Sequence, residues 1–332
     1  MLNNLIFKQF KQLKFNHLKV VPDTDLGYDS LGRIDNYRFY FEEEYKVPGK
    51  GGIVDDEGWH WPESVKLEII EIIGGGGFAF VEHAKGSNGK EFAVKVMREF
   101  DIYERPFRND AVFRFYHEAT IMSNLSHPCI PKIYDVLEYQ GQPAIVMELI
   151  RGTNLFKLNK GVKLNAGELK VLWDKVVPVL DYIHSRGVVH NDISPGNIML
   201  THLGEIKLID FGISDSPMNG KRVIVDITWG TKEFMSPEQV RTPKQVDYRT
   251  DYYSLARTFL YLLTGNSPKK NGWAKGENGL SEYCTAPDGV FRNDICECAE
   301  NFESCPEDWK QFLKPYLAKD PNQRPQKLSK WG

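Results

Sequence analysis

No stretch of this 332-residue chain reaches the run of about 18 apolar residues that a membrane-spanning helix requires. Lys8, Lys11 and Lys14 interrupt the first apolar residues, so no secretory core forms at the N-terminus. Cysteine is scarce. Five in the whole chain, an odd number, excludes a disulfide scaffold and fits a reducing compartment, so a cytoplasmic protein is expected. Neither charge sign dominates: 42 Lys and Arg face 45 Asp and Glu, which excludes a global pull toward nucleic acid or anionic membrane. There is no internal repeat and no long low-complexity tract. An apolar share of 41% with 26% charged residues excludes collagenous, mucin-like and wholly disordered chains. The length suffices for two domains, or for two lobes around one cleft.

The chain changes texture along its length. Residues 1–20 hold four lysines and no acid, and Leu2, Ile6, Phe10 and Leu13 fall near helical spacing, which predicts a basic amphipathic helix. Residues 21–65 reverse the sign, with eleven acids against four bases. Within them Tyr37–Phe41 reads as a strand and Pro48–Gly52 as a loop. Residues 1–64 are therefore an N-terminal extension, and a regulatory partner is expected there or at residues 265–301. From Val65 strand-like runs follow at 65–73, 79–84, 91–97, 132–139 and 144–149, with one helical stretch near 109–126. After residue 150 the pattern is mostly helical. Leu169, Leu172, Val176, Leu180 and Ile183 mark one face of a helix ending at Gly187, with Pro178 inside it. Asp251–Thr264 reads as a buried helix. The expected fold is α+β: a sheet-rich small lobe over 65–150 and a helical large lobe over 151–332.

Glycines after a strand let backbone N–H groups approach phosphate oxygens, because no Cβ stands in the way. Gly74, Gly75, Gly76 and Gly77, with Phe78 at the tip and Val81 beyond, supply that chemistry between two strands. No helix pattern follows at once, which argues against a dinucleotide fold, and no Gly-Lys-Ser/Thr is present. Phe92–Val96 is a short apolar strand carrying one lysine, Lys95, for which Glu118 in the following helix is an available partner. Further on, Val188–Leu200 sets polar groups between two apolar runs. Asp192 and Asn197 stand five apart, and Leu208–Gly212 adds the carboxylate of Asp210. Mg²⁺ takes one or two protein oxygens plus substrate phosphates. Asn197 and Asp210 fit that role, leaving Asp192 to orient a hydroxyl nucleophile and accept its proton.

In this order and at these distances the residues resemble the eukaryotic-type protein kinase family over residues 65–332. The likeness aligns Gly74 and Gly76 with the glycine loop, Lys95 with the strand lysine and Glu118 with its helix partner. Met147-Glu148-Leu149-Ile150 aligns with the gatekeeper and hinge, His190-x-Asp192 and Asn197 with the catalytic loop, and Asp210-Phe211-Gly212 with the magnesium loop. Gly230–Glu238, Asp251 and Arg324 resemble the end of the activation segment, the aspartate of the central helix and the arginine that pairs with Glu238. The resemblance implies ATP and Mg²⁺ or Mn²⁺ as cofactors. It implies that Val81, Ala93 and Met199 enclose adenine, that Glu148 and Ile150 meet it through backbone atoms, and that Met122, Ile133, His190 and Phe211 stack. It also implies protein substrates carrying serine or threonine.

The chain departs from that pattern at Ala79, in place of the third glycine, and at Asn191, where the family often has arginine. Such an arginine receives a phosphorylated activation loop, so activity here is expected not to require that phosphorylation. Ser194 replaces the lysine that contacts the transferred phosphate, with Lys232 as a candidate substitute. His-Asn-Asp and Pro-Gly-Asn also resemble aminoglycoside and choline kinases. A small-molecule kinase is therefore one alternative, and a nucleotide-binding pseudokinase scaffold the other. Residues 230–238, Asp251 and Arg324 favour the protein kinase over the first, while Lys95, Asp192 and Asp210 favour it over the second. Ser214, Ser216, Thr228 and Thr231 are candidate phosphorylation sites. Cys284, Cys296, Cys298 and Cys305 contain no Cys-x-x-Cys pair, so a zinc site is not expected.

Overall fold

Runs of β-branched and aromatic residues dominate the N-terminal half of the computed structural model. The structure describes residues 67–76, 78–98, 105–139, 142–215, 231, 233–241, 246–265 and 304–331, together with eight short strand segments. Contacts divide the chain into two units, Met1–Ser126 with Pro131–Ile150, and His127–Ile130 with Arg151–Gly332. The fold is α+β, with a sheet in the first unit and mostly helices in the second.

The first unit begins with two hairpins, β1 (Leu18–Pro22) with β2 (Tyr37–Phe41), and β3 (Ile53–Asp55) with β4 (Gly58–His60). The strand expected at 37–41 is present with those bounds. The helix expected over 1–20 is corrected at its end. Leu18–Val20 lie in β1, where Leu-Lys-Val-Val suits a ladder and β2 supplies its partner, while residues 1–17 fall outside the described residues.

Five antiparallel strands follow: β5 (Leu67–Gly75), β6 (Ala79–Gly86), β7 (Glu91–Met97), β8 (Ile133–Tyr139) and β9 (Gln142–Glu148), in the spatial order β5-β6-β7-β9-β8. Helix α1 (Arg105–Ser123) packs on β8 and β9. Register decides which side chains meet. Val81, Lys95 and Ile145 stand opposite one another across three strands and share a face. The alternate residues Ala84, Phe92, Val94, Val96, Ala144 and Val146 form a buried cluster on the other face. Leu67, Ile69, Phe80, Tyr134, Leu137 and Tyr139 rim that cluster, with Tyr134 edge-on to Phe92 at 5.6 Å between ring centres.

In the second unit β10 (Gly152–Asn154), β11 (Ile198–Thr201) and β12 (Ile206–Leu208) form a small sheet. Between them lie α2 (Leu155–Gly161) and α3 (Ala166–Ser185). Asn165 and Glu168 close a reciprocal capping box at the start of α3, and Gly187 just beyond its end takes a left-handed φ of 74°. Pro178 is accommodated without ending the helix. Short strands β13 (Pro217–Met218) and β14 (Lys221–Arg222), then α4 (Pro237–Arg241), lead to α5 (Arg249–Thr264), which is buried along nearly its whole length. A further hairpin, β15 (Trp273–Lys275) with β16 (Ser281–Tyr283), and α6 (Glu307–Leu313) complete the elements. Trp173 of α3 anchors the core of this unit. Its ring meets Phe259, Trp309 and Phe312 edge-on, and its indole N–H donates to the Ser329 carbonyl at 2.8 Å. No helix among the described residues is long and apolar enough to cross a membrane.

Candidate active site

In the first unit the functional side chains stand on the sheet face that α1 covers. Lys95 comes from the middle of β7 and is nearly buried. Its ammonium donates to both carboxylate oxygens of Glu118 on α1 at 2.7 Å. A desolvated lysine needs such a partner, and the bidentate contact fixes the rotation of α1 relative to β7. Val81 and Ala93 flank Lys95 on neighbouring register positions. Met147 sits opposite Ala93 on β9, and Glu148 and Ile150 follow. The Glu148 N–H donates to the Lys132 carbonyl at 2.9 Å, so a backbone contribution of Glu148 to a ligand would come from its carbonyl.

The glycine segment continues β5. Gly74 pairs with Val81, and the Gly76 N–H donates to the Ala79 carbonyl at 2.8 Å, closing the turn. Arg98 buttresses it, donating from Nε to the Gly76 carbonyl at 2.9 Å. Neither Gly74, Gly75 nor Gly76 takes a positive φ. A Cβ on Gly76 would meet nothing within 4 Å, so the fold itself does not demand glycine there. Its absence of a side chain leaves open space before the backbone, the property a phosphate cradle uses. Gly77 lies outside the described residues, and Phe78 is exposed at the tip.

In the second unit one buried carboxylate organises the catalytic loop. Asp251, fully buried on α5, accepts from the backbone N–H groups of His190 at 2.8 Å and Asn191 at 2.9 Å, and from His184 Nε2 at 2.8 Å. Gln239 of α4 donates to the Asn191 carbonyl at 2.7 Å. These bonds hold Asn191 at a φ of 65°, a left-handed conformation that asparagine tolerates better than most residues. His190 is neutral. Burial lowers its pKa, Nε2–H donates to the Ile209 carbonyl at 3.2 Å, and Nδ1 accepts from the Asp192 N–H. Phe211 stacks beside it, 4.7 Å between ring centres.

Asp192 is gripped on both oxygens. Oδ1 accepts from the Thr231 N–H at 2.7 Å and Oδ2 from Asn197 Nδ2 at 2.8 Å, while that amide also donates to the Asp192 carbonyl. Its pKa nonetheless rises to about 7. Desolvation is the largest cause and the Asp210 carboxylate the next, while the bonds from Thr231 and Asn197 pull it down. Asp210 takes a φ of 65°, uncommon for a residue with a side chain. Mutual repulsion between two carboxylates is the electrostatic signature of a place built for a cation. Because the Asn197 NH₂ is committed to Asp192, its carbonyl oxygen faces the other way. Asn197 and Asp210 thus fit the oxygen donors that Mg²⁺ takes from protein. No cluster of three or more His, Cys, Asp or Glu that could hold a metal occurs among the described residues.

The family comparison rests on the same stretch. The model of the protein kinase domain matches residues 67–329. The chain belongs to the protein kinase family. A probable serine/threonine-protein kinase of Streptomyces coelicolor is 35% identical over 213 residues, covering 61% of this chain and 31% of that protein. Serine/threonine-protein kinase PrkC of Bacillus subtilis is 32% identical over 207 residues, 62% of this chain and 31% of its own length. CBL-interacting serine/threonine-protein kinase 8 of Arabidopsis thaliana is 31% identical over 205 residues, 61% of this chain and 45% of that protein. The chain spans about a third of the length of the bacterial relatives.

Several features of the kinase domain fall where the sequence did not point. Gly152 has no side chain because a Cβ there would collide with the Leu200 backbone of β11. The contribution of His184 and Gln239 to the catalytic loop depends on contacts more than 45 residues apart, which no local pattern reveals. Arg324 and Glu238 do pair, at 2.5 and 2.8 Å, as the resemblance implied, and Thr250 adds a bond to the same carboxylate. Ser214 is corrected as a phosphorylation candidate. It is buried, and its hydroxyl donates to the His190 carbonyl at 3.0 Å. Ser216, Thr228 and Lys232 lie outside the described residues, as do Cys284, Cys296 and Cys298; Cys305 is buried with its thiol pushed up to about 11 by desolvation.

Proposed function

We propose that the chain is an ATP-dependent serine/threonine protein kinase. The observation that carries this reading is the grip on Asp192 by Asn197 and Thr231, which presents a carboxylate to an incoming hydroxyl in one orientation. ATP is the phosphoryl donor. Lys95, held by Glu118, supplies a fixed positive charge for its phosphates, and Gly76, without a side chain, leaves room for them beside the backbone. Mg²⁺, or Mn²⁺, held by Asn197 and Asp210 neutralises phosphate charge when bound. Asp192 orients the substrate hydroxyl and takes its proton. The buried platform of Glu238, Thr250 and Arg324 beside Thr231 supports a protein substrate over a small molecule, since it orders the segment on which a peptide would lie.

Activity does not require activation-loop phosphorylation in this reading. Asn191 is neutral and nearly buried, and its amide donates to the Ile213 carbonyl at 3.2 Å, so it offers no cation to a phosphate. Phosphatase treatment should leave turnover unchanged, and a collapse would sink the idea. Ser194 is buried and replaces a phosphate-binding lysine, so Lys232 is assigned the missing positive charge; Lys232→Ala with undiminished turnover would remove that role. The sparse cysteines support a reducing, cytoplasmic location for the chain.

The decisive experiment incubates wild type and Asp192→Ala with γ-labelled ATP, Mg²⁺ or Mn²⁺ and a generic basic protein, followed by phosphoamino-acid analysis. Label on serine or threonine from wild type alone supports the reading. Turnover only with small hydroxyl compounds would make it a small-molecule kinase, and nucleotide binding without transfer a scaffold.

A further inference from the structure

The glycine segment is tied to the sheet by a side chain as well as by its own backbone. Gly74 and Gly75 pair with Val81 and Phe80 of β6, and the Gly76 N–H closes the turn on the Ala79 carbonyl. β5 is an edge strand of this sheet, so its end is held from one side only. Glycine loses more conformational freedom on ordering than any other residue, and a run of glycines there gains most from a further tie. Arg98, just past the end of β7, supplies one. Its N–H donates to the Phe78 carbonyl at 2.8 Å, carrying the β6–β7 ladder one residue beyond the Ala79–Met97 pair. Its Nε donates to the Gly76 carbonyl at 2.9 Å. No backbone bond could make that second link, because β6 stands between β5 and β7 and neighbouring strands lie about 4.8 Å apart. A long side chain can cross the gap.

The guanidinium has no other task in this unit. The bond to Gly76 is the only hydrogen bond that the Arg98 side chain makes among the described residues. Gly75 gives it room, since a Cβ there would come to 3.4 Å from Nη2. Both ends of the tie lie next to phosphate-binding groups. Val81 is the register partner of Gly74 on one side and of Lys95 on the other, and Arg98 follows Lys95 by three residues. The tie therefore fixes Gly76 relative to the ammonium that Glu118 holds. Strand alternation puts Arg98 on the face of Val96, opposite to that of Lys95, so its charge points away from the side on which Lys95 works.

We infer that Arg98 is a positioning residue for ATP, whose Nε bond sets the glycine segment in place before the phosphates arrive. The ligand rests on the proposed kinase reading, whereas the tie itself does not. What matters is the donor at Nε and not the positive charge.

Glutamine separates the two, because its amide nitrogen stands at the position of Nε and carries no charge. Binding of ATP with Mg²⁺ and of adenosine is measured by calorimetry for wild type, Arg98→Ala and Arg98→Gln. Arg98→Ala should bind ATP about three- to tenfold more weakly, the worth of one such hydrogen bond, and adenosine as wild type does. Arg98→Gln should bind ATP within about twofold of wild type. An alanine variant that binds ATP as tightly as wild type overturns the inference. So does a glutamine variant as weak as the alanine one, which would make the charge the active feature. An equal loss for ATP and adenosine also overturns it, because the whole sheet would then have loosened. In transfer assays the fall in kcat/KM for ATP should lie mainly in KM. Hydrogen–deuterium exchange without nucleotide reads the tie apart from its ligand. Peptides over residues 74–80 should exchange about three- to tenfold faster in Arg98→Ala and at the wild-type rate in Arg98→Gln, with residues 133–139 unaltered. Unchanged exchange in the alanine variant would show that no tie exists. Wild type that binds no ATP would overturn the kinase reading, and exchange alone would then decide the tie.

Discussion

Replacing Asp192, the proposed catalytic aspartate, by its neutral isostere should make this kinase domain more stable while ending transfer. Asp192 has a folded pKa of about 7 against an ordinary 3.8, driven up first by desolvation and then by Asp210. The native state therefore binds the Asp192 proton more tightly than the unfolded chain does. Stability is fully retained below the unfolded pKa near 4, falls as pH rises toward 7, and levels off above it. Three pKa units at 1.36 kcal/mol each set an upper bound of about 4 kcal/mol. Asn197 and Thr231 donate better to a carboxylate than to an amide, which lowers the expected gain from Asp192→Asn to roughly 1–3 kcal/mol. For a chain of this size, at about 2.1 cal/mol/K of unfolding entropy per residue, that is a rise in Tm of roughly 1.5–4 °C. Thermal unfolding of wild type and variant between pH 4 and 8, without divalent cation, is the assay. The difference should be near zero at pH 4, grow to pH 7 and then plateau. A difference that is constant across that range, or a variant less stable than wild type at pH 7.5, would refute the reasoning. Added Mg²⁺ should narrow the gap, because a cation between Asn197 and Asp210 lessens the repulsion that Asp192 feels.

Arg324→Ala should cost about 3–5 kcal/mol in denaturant unfolding, since it strands the buried Glu238 carboxylate; a loss below 1 kcal/mol would show that carboxylate to be solvated. Gly152→Ala should cost roughly 1–3 kcal/mol by forcing β10 from β11, and an unchanged denaturation midpoint would mean the strands separate freely. Lys95→Met should nearly abolish phosphoryl transfer while leaving α3 and α5 as protected from hydrogen exchange as in wild type. Full turnover would remove Lys95 from the proposed site.

How much of this was legible beforehand depended on whether a residue acts locally or through the fold. The strands of the first unit, the α3 face with its Gly187 stop and the Lys95–Glu118 pair each rest on periodicity or on short-range spacing, and the sequence carries those signals openly. Leu18–Val20 misled because four residues of helical spacing upstream, Leu2, Ile6, Phe10 and Leu13, outweighed the Val20–Val21 pair, whose partner, β2, lies about twenty positions on. Gly76 was read from the sequence as part of a glycine loop, and the structure shows that the fold itself does not demand glycine there: its φ is ordinary and its Cβ space empty. Ser214 looked like a modification site in a serine-rich segment, and only the bond to His190 shows its hydroxyl to be structural.

The arrangement around Asp192 is costly in several independent ways, and the same helix offsets most of the cost. Asn191 and Asp210 both sit at φ values near 65°, each worth on the order of 1–2 kcal/mol of backbone strain, and Asp192 is a buried carboxyl whose pKa desolvation raises to about 7. None of these would persist in an isolated loop. Asp251 supplies three hydrogen bonds from a helix that is itself buried, and Gln239 and Ser214 close the remaining backbone groups of His190 and Asn191. The loop is thus held to one geometry before any substrate arrives. That preorganisation is what phosphoryl transfer asks of a protein, since the reaction needs little covalent help and much positioning. It also explains why Asp251, Thr250 and Arg324, among the most buried polar residues of the second unit, hold the loop and are not themselves proposed to react. They hold the loop in conformations that entropy would relax in an isolated segment.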